Sequence, residues 1–182
     1  MRTEVRLSGF GGQGIVLAGY VLGKAACLFA GKEAVMTQSY GPEARGGACT
    51  SNVVIEDGRI SYPAVTHAGI LVLMSQEAYT TYKKEIRAGA TVLYDPDLVT
   101  LDPGLPGVHL AVPAMRLAGE LGKKIVANIV MLGFLAAATK LLPEEAVKQS
   151  VLTSVPAPTR ELNEKAFRAG FEHGLQVHGK GG

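Results

Sequence analysis

Residues 5–19 read VRLSGFGGQGIVLAG, and no other segment says more about the expected fold. Val5–Ser8 is apolar and strand-like, Gly9–Gly14 is rich in glycine, and an apolar helix is predicted over Ile15–Ala30. The glycines match the pattern G-x-G-x-x-G between a strand and a helix, which is typical of the start of a Rossmann-like α/β fold. Backbone amides in such a turn can bind phosphate, because glycine allows close approach and the helix N-terminus is partially positive.

The second feature of a dinucleotide site is missing. A site for NAD places an acidic residue about 20 positions after the turn, at the end of the second strand. The second predicted strand, Ala34–Gln38, runs into Ser39 and Tyr40, whereas Glu33 stands at its beginning and Glu43 lies in the following loop. The glycines therefore either contact a ligand or only close a tight turn, and both interpretations stay open.

Strands and helices alternate along the chain, which predicts a largely parallel sheet covered on both faces. An Asp-Gly pair between two β-rich runs also predicts a hairpin, so the sheet is expected to be mixed. The predicted strands are Thr50–Ile55 and Arg59–Tyr62, joined through Glu56-Asp57-Gly58, then Gly69–Met74, Thr91–Tyr94 and Val108–Val112. The predicted helices are Gln76–Arg87, Ala114–Leu121, Val126–Leu141, Pro143–Thr153 and Thr159–Gly174.

These elements define the predicted fold class. We expect an α/β protein, a three-layer α/β/α sandwich with a mostly parallel, mixed sheet, a Rossmann-like start and a helical C-terminal part. No internal repeat or long linker divides the sequence, so one domain is expected over residues 1–182.

Composition argues against nucleic-acid and membrane partners. The formal net charge of the 182 residues is only +2, and cations and anions are interspersed, so no basic patch is expected. The most apolar stretch, Ile129–Thr139, is shorter than the roughly 20 residues that span a membrane, and predicts a buried helix. Met1–Arg6 does not resemble a signal peptide, so we expect a cytoplasmic protein.

Metal ligands and catalytic side chains are not grouped in the sequence. Cys27 and Cys49 belong to no CxxC pair and to no Cys/His cluster, and both are expected to be inert thiols, Cys27 as a buried one. No nucleophile and acid accompany the histidines, which are far apart at His67, His109, His173 and His178. We therefore expect no metal ion and no catalytic residue on this chain.

A loop rich in turn residues, Ser39-Tyr40-Gly41-Pro42-Glu43-Ala44-Arg45-Gly46-Gly47, follows the second predicted strand. Arg45 could present its planar guanidinium to a phosphate or carboxylate, or it could be a solvated cation or form an ion pair between subunits. Tyr40 and Pro42 could shape the turn or contact a ligand.

The glycine turn and this loop, in this order, resemble the gamma-type domain of 2-oxoacid:ferredoxin oxidoreductases. The resemblance includes Ile60-Ser61-Tyr62-Pro63 and, more weakly, the helix Asn128–Gly133, and it covers about residues 3–170. It implies the gamma subunit of an enzyme that decarboxylates a 2-oxoacid, 2-oxoglutarate or pyruvate, on thiamine diphosphate. Such an enzyme passes electrons through [4Fe-4S] clusters to ferredoxin and releases an acyl-coenzyme A.

The resemblance also implies a division of work between chains. Alpha and beta subunits bind thiamine diphosphate, and the clusters sit on beta or delta subunits. The gamma subunit is then expected to bind no cofactor alone, to be inactive in isolation, and to help form the coenzyme A side of the active site. An isolated copy is expected to be able to form a homodimer through an apolar assembly face.

The candidate contacts with a ligand or another subunit lie in the glycine turn and the following loop: Gly9, Gly11, Gly12, Gln13, Gly14, Tyr40, Gly41, Pro42, Glu43, Arg45 and Gly46. Two other classes of function stay open. One is a self-contained Rossmann-type nucleotide-binding oxidoreductase, and the other is a noncatalytic assembly scaffold.

Overall fold

One mixed six-stranded sheet organises the protein, and its strand order is β2-β3-β1-β4-β5-β6. The structure, a computed structural model, describes residues 1–40 and 48–178. The strands are β1 (Arg2–Phe10), β2 (Glu33–Tyr40), β3 (Ala48–Glu56), β4 (Ile70–Leu73), β5 (Thr91–Tyr94) and β6 (Val108–Ala111). Strands β1, β4, β5 and β6 are parallel neighbours, as the alternation of strands and helices predicted.

In the described part of the chain, six α-helices connect and cover these strands: α1 (Ile15–Lys24), α2 (Gln76–Tyr82), α3 (Ala114–Glu120), α4 (Ala127–Thr139), α5 (Glu144–Leu152) and α6 (Arg160–His178). A π-helical turn (Ala25–Phe29) extends α1, and 3-10 turns cover Lys83–Glu85, Lys124–Val126 and Ala157–Thr159. All predicted helices are present, with ends shifted by a few residues.

The antiparallel part of the sheet is built differently from the prediction. Strand β3 lies between β1 and β2 and is antiparallel to both, so that Val53 faces Val5 on one side and Met36 on the other. Both edges of β3 are therefore occupied, and no edge is left for a strand at Arg59–Tyr62, which is not extended into the sheet. The predicted hairpin through Asp57-Gly58 is wrong, because β2 is the antiparallel partner, but the mixed sheet is confirmed.

Apolar side chains cover both faces of the sheet. Val5 and Leu7 point from β1 into the larger core, which also contains the inner faces of α1, α4, α5 and α6. On the other face Leu71 and Leu73 pack with Tyr79 of α2 in a smaller core. Burial on both faces explains why β4, at the centre of the sheet, is continuously apolar, and the three-layer sandwich is confirmed.

Helix α4 is the most deeply buried helix, because every residue over Ala127–Ala138 is buried. It crosses α6 at two close contacts between backbones. A Cβ on Gly170 would lie 2.7 Å from the carbonyl carbon of Val130, and one on Gly133 would lie 2.9 Å from that of Phe167. The prediction of a buried helix here is confirmed. Among the described residues, no helix has the length and apolar character needed to cross a membrane.

The end of α1 corrects one prediction. Gly31 adopts a left-handed φ of 63° just after the π-helical turn, as expected of a residue that stops a helix. Cys27, however, is exposed rather than buried. It follows Lys24 by three positions and the exposed Tyr20 by seven, which places it on the solvent side of the helix despite its apolar neighbours in sequence.

Substitution of Gly170 by Ala tests the contact between α4 and α6. The added methyl meets the backbone of α4, which cannot rotate away, so the two helices must separate. We expect a loss of unfolding free energy at the upper end of the roughly 1–3 kcal/mol typical of overpacked cores, measured by urea denaturation. Gly89→Ala is the matched control, since a Cβ there meets nothing within 4 Å. Equal stability of the two variants would contradict the close contact.

Candidate functional site

The direction in which the chain leaves the sheet changes between β1 and β4. From β1 the chain passes through α1 towards β2 and β3, and from β4 it passes through α2 to β5 on the other side. In an open α/β sheet the carboxyl ends of the strands flanking such a change form a crevice that commonly binds ligands. The glycine turn after β1 and Met74 after β4 lie at this crevice.

Gln13 fixes the glycine turn to the end of β4. Its Oε1 accepts a hydrogen bond from the amide of Phe10 at 2.6 Å, and its Nε2 donates to the carbonyl oxygen of Met74 at 2.9 Å. A Cβ on Gly9 would overlap Oε1 of Gln13 and lie 3.2 Å from Cβ of Met74. Gly9 and Gln13 therefore give the turn its shape, since both are engaged within the protein.

The other glycines of the turn face solvent or a neighbouring helix. Gly11 and Gly12 are exposed, and Gly12 has a φ of 91° with open space around its Cα. Gly14 has a φ of 74° and is the N-cap of α1, where a Cβ would lie 2.8 Å from Cγ of Asn128. Only glycine combines this backbone conformation with such close approach.

Asn128, in the first turn of α4, connects the beginnings of two helices. Its Nδ2 donates to the carbonyl oxygen of Gly14 at 3.1 Å, and its Oδ1 accepts from the amide of Ile129 at 3.0 Å. Neither α1 nor α4 has a side-chain cap or an acidic residue in its first turn. Two positive helix ends therefore meet at one place, which favours a negatively charged ligand.

Two clefts open beside this junction. The larger, of about 300 Å³, is lined by Gly12, Gly14, Lys123 and Asn128 together with apolar residues of α1 and α6. The smaller, of about 160 Å³, lies at the crevice itself and is lined by Gly12, Gln13, Met74 and Lys124. Ile125, which is 70% exposed, borders both clefts.

Lys123 and Lys124 were not identified from the sequence. They lie more than 100 residues after the glycine turn in the chain, and only the packing of α4 against α1 brings them to it. Both are exposed, and neither forms an ion pair within residues 1–40 and 48–178. They add positive charge beside the two helix ends.

The predicted loop contacts are separated from the glycine turn by one strand. The strand pairing places Tyr40, Cys49 and Gly9 side by side, so the loop begins at the same edge of the sheet as the turn. Tyr40 is 66% exposed, and its hydroxyl donates to Oε1 of Gln38 at 3.2 Å. The remaining candidates, Gly41, Pro42, Glu43, Arg45 and Gly46, lie outside the described residues.

The arrangement argues against a nicotinamide dinucleotide site. In such sites the second strand is the immediate neighbour of the first, and its acidic residue reaches the ribose at the turn. Here β3 separates β2 from β1, and β2 ends in Gln38, Ser39 and Tyr40. Within residues 1–40 and 48–178, the alternative of a self-contained Rossmann-type nucleotide-binding oxidoreductase is therefore supported neither by an acidic residue at the end of β2 nor by the strand order of such a site.

Comparison with known proteins shows the family to which the chain belongs. The sequence profile described as pyruvate ferredoxin/flavodoxin oxidoreductase matches residues 4–173. The chain belongs to this family. It is 53% identical over 175 residues to the 2-oxoglutarate synthase subunit KorC of Methanocaldococcus jannaschii, with 94% of each chain covered.

Solved structures show the family fold. A keto/oxoacid ferredoxin oxidoreductase gamma subunit from Geobacter sulfurreducens matches with a TM-score of 0.89 and 42% identity, over 97% of this chain and 98% of that one. A 2-oxoglutarate:ferredoxin oxidoreductase from Magnetococcus marinus, with 2-oxoglutarate, coenzyme A and succinyl-CoA bound, matches with a TM-score of 0.86 at 22% identity. There 97% of this chain corresponds to 31% of the longer chain.

These findings confirm the resemblance drawn from the glycine turn and the following loop. The chain is a gamma-type subunit of the 2-oxoacid:ferredoxin oxidoreductase family, and it works as part of an enzyme complex with other subunits. Within the described residues there is no group of three or more side chains suited to hold a metal ion.

The two cysteines provide a test of the site's surroundings. Cys49 is buried on β3, the strand between β1 and β2. Burial raises the pKa of its thiol, so little reactive thiolate forms near neutral pH. Cys27 is exposed. We expect one thiol of the native isolated chain to react with a disulfide reagent at pH 8 within minutes and the other only after unfolding. Cys27→Ser should remove the fast reaction, and a fast reaction that survives this change would contradict the assignment.

Proposed function

We propose that this chain is the gamma subunit of a 2-oxoglutarate:ferredoxin oxidoreductase and that the junction of α1 and α4 binds a phosphate of coenzyme A. The observation that carries the proposal is the meeting of two uncapped helix N-termini with Lys123 and Lys124 at one cleft. Coenzyme A, which this enzyme class consumes, carries a pyrophosphate and a ribose phosphate, and phosphate groups are the anions that helix N-termini commonly bind. The Magnetococcus enzyme, which shares the fold, holds coenzyme A.

The electrostatic free energies expected at this junction are large enough to bind a phosphate of coenzyme A. A helix N-terminus stabilises a nearby anion by about 0.3–1 kcal/mol when exposed and by up to about 2 kcal/mol when partly buried. An exposed lysine adds about 0.2–1 kcal/mol. Two helix ends and two lysines together give a few kcal/mol, which corresponds to roughly ten- to a thousandfold in affinity. That is enough to hold one end of coenzyme A while chemistry proceeds on another subunit.

The chemistry itself is assigned to the partners. The described residues include no cluster of cysteines for [4Fe-4S] groups, because Cys27 is exposed near the end of α1 and Cys49 is buried at β3. We infer that alpha and beta subunits, with a delta subunit where the enzyme has one, supply thiamine diphosphate, the clusters and the contact with ferredoxin. We also place the complex in the cytoplasm and treat residues 1–182 as one domain.

The choice of 2-oxoglutarate rests on similarity. The Methanocaldococcus relative is named as a subunit of 2-oxoglutarate synthase and is 53% identical across nearly the whole chain. A complex purified with this chain should reduce ferredoxin faster with 2-oxoglutarate than with pyruvate. A preference for pyruvate would leave the gamma-subunit assignment intact and overturn the substrate.

The double variant Lys123→Ala/Lys124→Ala tests the coenzyme A site in the assembled complex. Two contacts of about 0.7 kcal/mol each predict a KM for coenzyme A about tenfold higher, while the KM for the 2-oxoacid stays unchanged. Lys84→Ala is the matched control, because Lys84 is an exposed lysine that does not line either cleft. If the double variant and the control behave alike, the phosphate site lies elsewhere.

An apolar surface beside α1 supports a permanent partner. Its exposed members are Tyr20, Leu28 and Phe29 on α1 and the π-helical turn, and Tyr40 on β2. Between α1 and β2 lies an open cleft of about 500 Å³, lined by Val16, Leu17, Tyr20, Met36 and Gln38. We call this surface, from Tyr20 to Phe29 and along β2, the apolar edge face.

We assign the apolar edge face to another subunit of the same enzyme. Strand β2 is an edge strand whose charged residue, Glu33, stands at its beginning, so little prevents a partner strand from pairing with it. In the Magnetococcus enzyme this fold is one part of a longer chain, and therefore has covalent neighbours. Apolar residues exposed together are typical of such contacts.

Leu28→Glu tests the apolar edge face. Leu28 is 68% exposed, so the isolated variant should fold normally, but a charge at the centre of an apolar contact should prevent copurification with the other subunits. Leu175→Glu is the control, because Leu175 is 51% exposed on α6, away from this face. Copurification of the Leu28 variant at wild-type yield would exclude the face as the contact, and its loss of self-association alone would indicate a homodimer instead.

A further inference from the structure

We propose that Asn128 is a positioning residue for the bound phosphate: it holds the N-termini of α1 and α4 together and directs one N–H of its amide into the larger cleft. This inference rests on the proposed function of that cleft. Asn128 is only 3% exposed, yet it lines the cleft beside Gly12, Gly14 and Lys123. A polar amide at this depth depends on its hydrogen bonds, because burial of polar groups is costly unless they are hydrogen-bonded.

The orientation of the Asn128 amide is fixed by its two partners. Its Oδ1 accepts from the amide of Ile129 at 3.0 Å, which leaves Nδ2 directed at the carbonyl oxygen of Gly14 at 3.1 Å. The NH₂ group has two hydrogens, and the Gly14 carbonyl uses one. Within residues 1–40 and 48–178 the Gly14 carbonyl is the acceptor recorded for Nδ2, and because Asn128 lines the larger cleft, we assign the second hydrogen to a ligand there.

Steric fit makes Gly14 and Asn128 interdependent. A Cβ on Gly14 would overlap Nδ2 of Asn128 and lie 2.8 Å from its Cγ. The carbonyl oxygen of Gly14 also accepts the first helical hydrogen bond of α1, from the amide of Ala18 at 2.9 Å. The Asn128 side chain is therefore hydrogen-bonded to the N-cap residue of α1, and the spacing of the two helix ends depends on this contact.

An aspartate at position 128 would keep the size of the side chain and the acceptor for the Ile129 amide, but it would lose the donor to Gly14. A carboxylate has no hydrogen to donate, so its oxygen would face the carbonyl oxygen of Gly14. It would also place negative charge between the two helix ends that attract the phosphate. The prediction is thus specific to the amide and not to the volume of the residue.

Asn163 on α6 provides a matched control within the same cleft. It is 6% exposed, and its Nδ2 donates to the carbonyl oxygen of Thr159 at 2.9 Å, one turn earlier in the chain. Asn163→Asp therefore adds the same charge to the same cleft without touching the contact between α1 and α4.

The experiment compares two acyl acceptors in the assembled enzyme: coenzyme A, and pantetheine, which has the same thiol but lacks the phosphates. Asn128→Asp should raise the KM for coenzyme A by roughly 10- to 100-fold, as expected for loss of a buried donor and addition of a like charge. The KM for the 2-oxoacid and the rate with pantetheine should stay as in the wild type. Asn163→Asp should raise the KM for coenzyme A by less than a third of that factor.

Three results would overturn the inference. Equal effects of the two aspartates would mean that charge alone matters, and equal losses with coenzyme A and pantetheine would mean that Asn128 only maintains the fold. If Asn128→Asp does not assemble, Asn128→Ser decides, since it is neutral and too short to reach Gly14. It should raise the KM for coenzyme A about fivefold, and an unchanged KM is the third result.

The outcome is separable from that of the proposed function. If the Lys123/Lys124 variant raises the KM for coenzyme A and the Asn128 variants do not, the cleft binds phosphate and Asn128 has no positioning role. If none of these variants changes the KM for coenzyme A, the cleft is not the phosphate site.

Discussion

The contact between Gly14 and Asn128 is the constraint on which the site depends. Two helices that begin in different parts of the chain have positive N-termini, and bringing such ends together without a negative charge between them is electrostatically unfavourable. The hydrogen bond from Asn128 to the Gly14 carbonyl, and the absence of a side chain on Gly14, hold them together nonetheless. We propose that a phosphate bound there relieves the repulsion, at a site that is arranged before its ligand arrives.

The rest of the fold serves this arrangement. The contacts of Gly133 and Gly170 fix α4 against α6, and the Gln13 side chain fixes the glycine turn against the end of β4. The change of direction between β1 and β4 leaves an open crevice beside the turn. In the function that we propose, this subunit places fixed positive dipoles at the edge of an active site that its partners complete.

Much of this could be predicted from local sequence. The strand, glycine turn and helix at residues 5–19 follow from short-range patterns, and so do the parallel strands and the buried α4. The pairing of β3 with β1 and β2 could not be predicted, because the Asp-Gly signal at positions 57–58 is local while the choice of partner depends on which sheet edges are free. Cys27 was misplaced because apolar neighbours in sequence hid the periodicity set by Tyr20 and Lys24.

Only part of the site could be predicted, because packing between distant segments is not visible in the local sequence. A cluster of glycines predicts a turn from the sequence alone. Lys123 and Lys124 have no local pattern that distinguishes them from other surface lysines, and only the packing of α4 brings them to the turn. Asn128 was visible only as the first residue of a weak family motif. The first amides of α1 lack helical acceptors, and those at the beginning of α4 are held only by the preceding 3-10 turn, where Val126 donates to the carbonyl oxygen of Lys123 and Ala127 to that of Lys124. Both segments should therefore exchange quickly with solvent. Hydrogen–deuterium exchange of the assembled enzyme with and without coenzyme A is therefore the decisive measurement for the proposed phosphate site. We expect slower exchange in residues 11–17 and 124–128 when coenzyme A is bound. Unchanged exchange in both segments, together with protection elsewhere, would contradict the site.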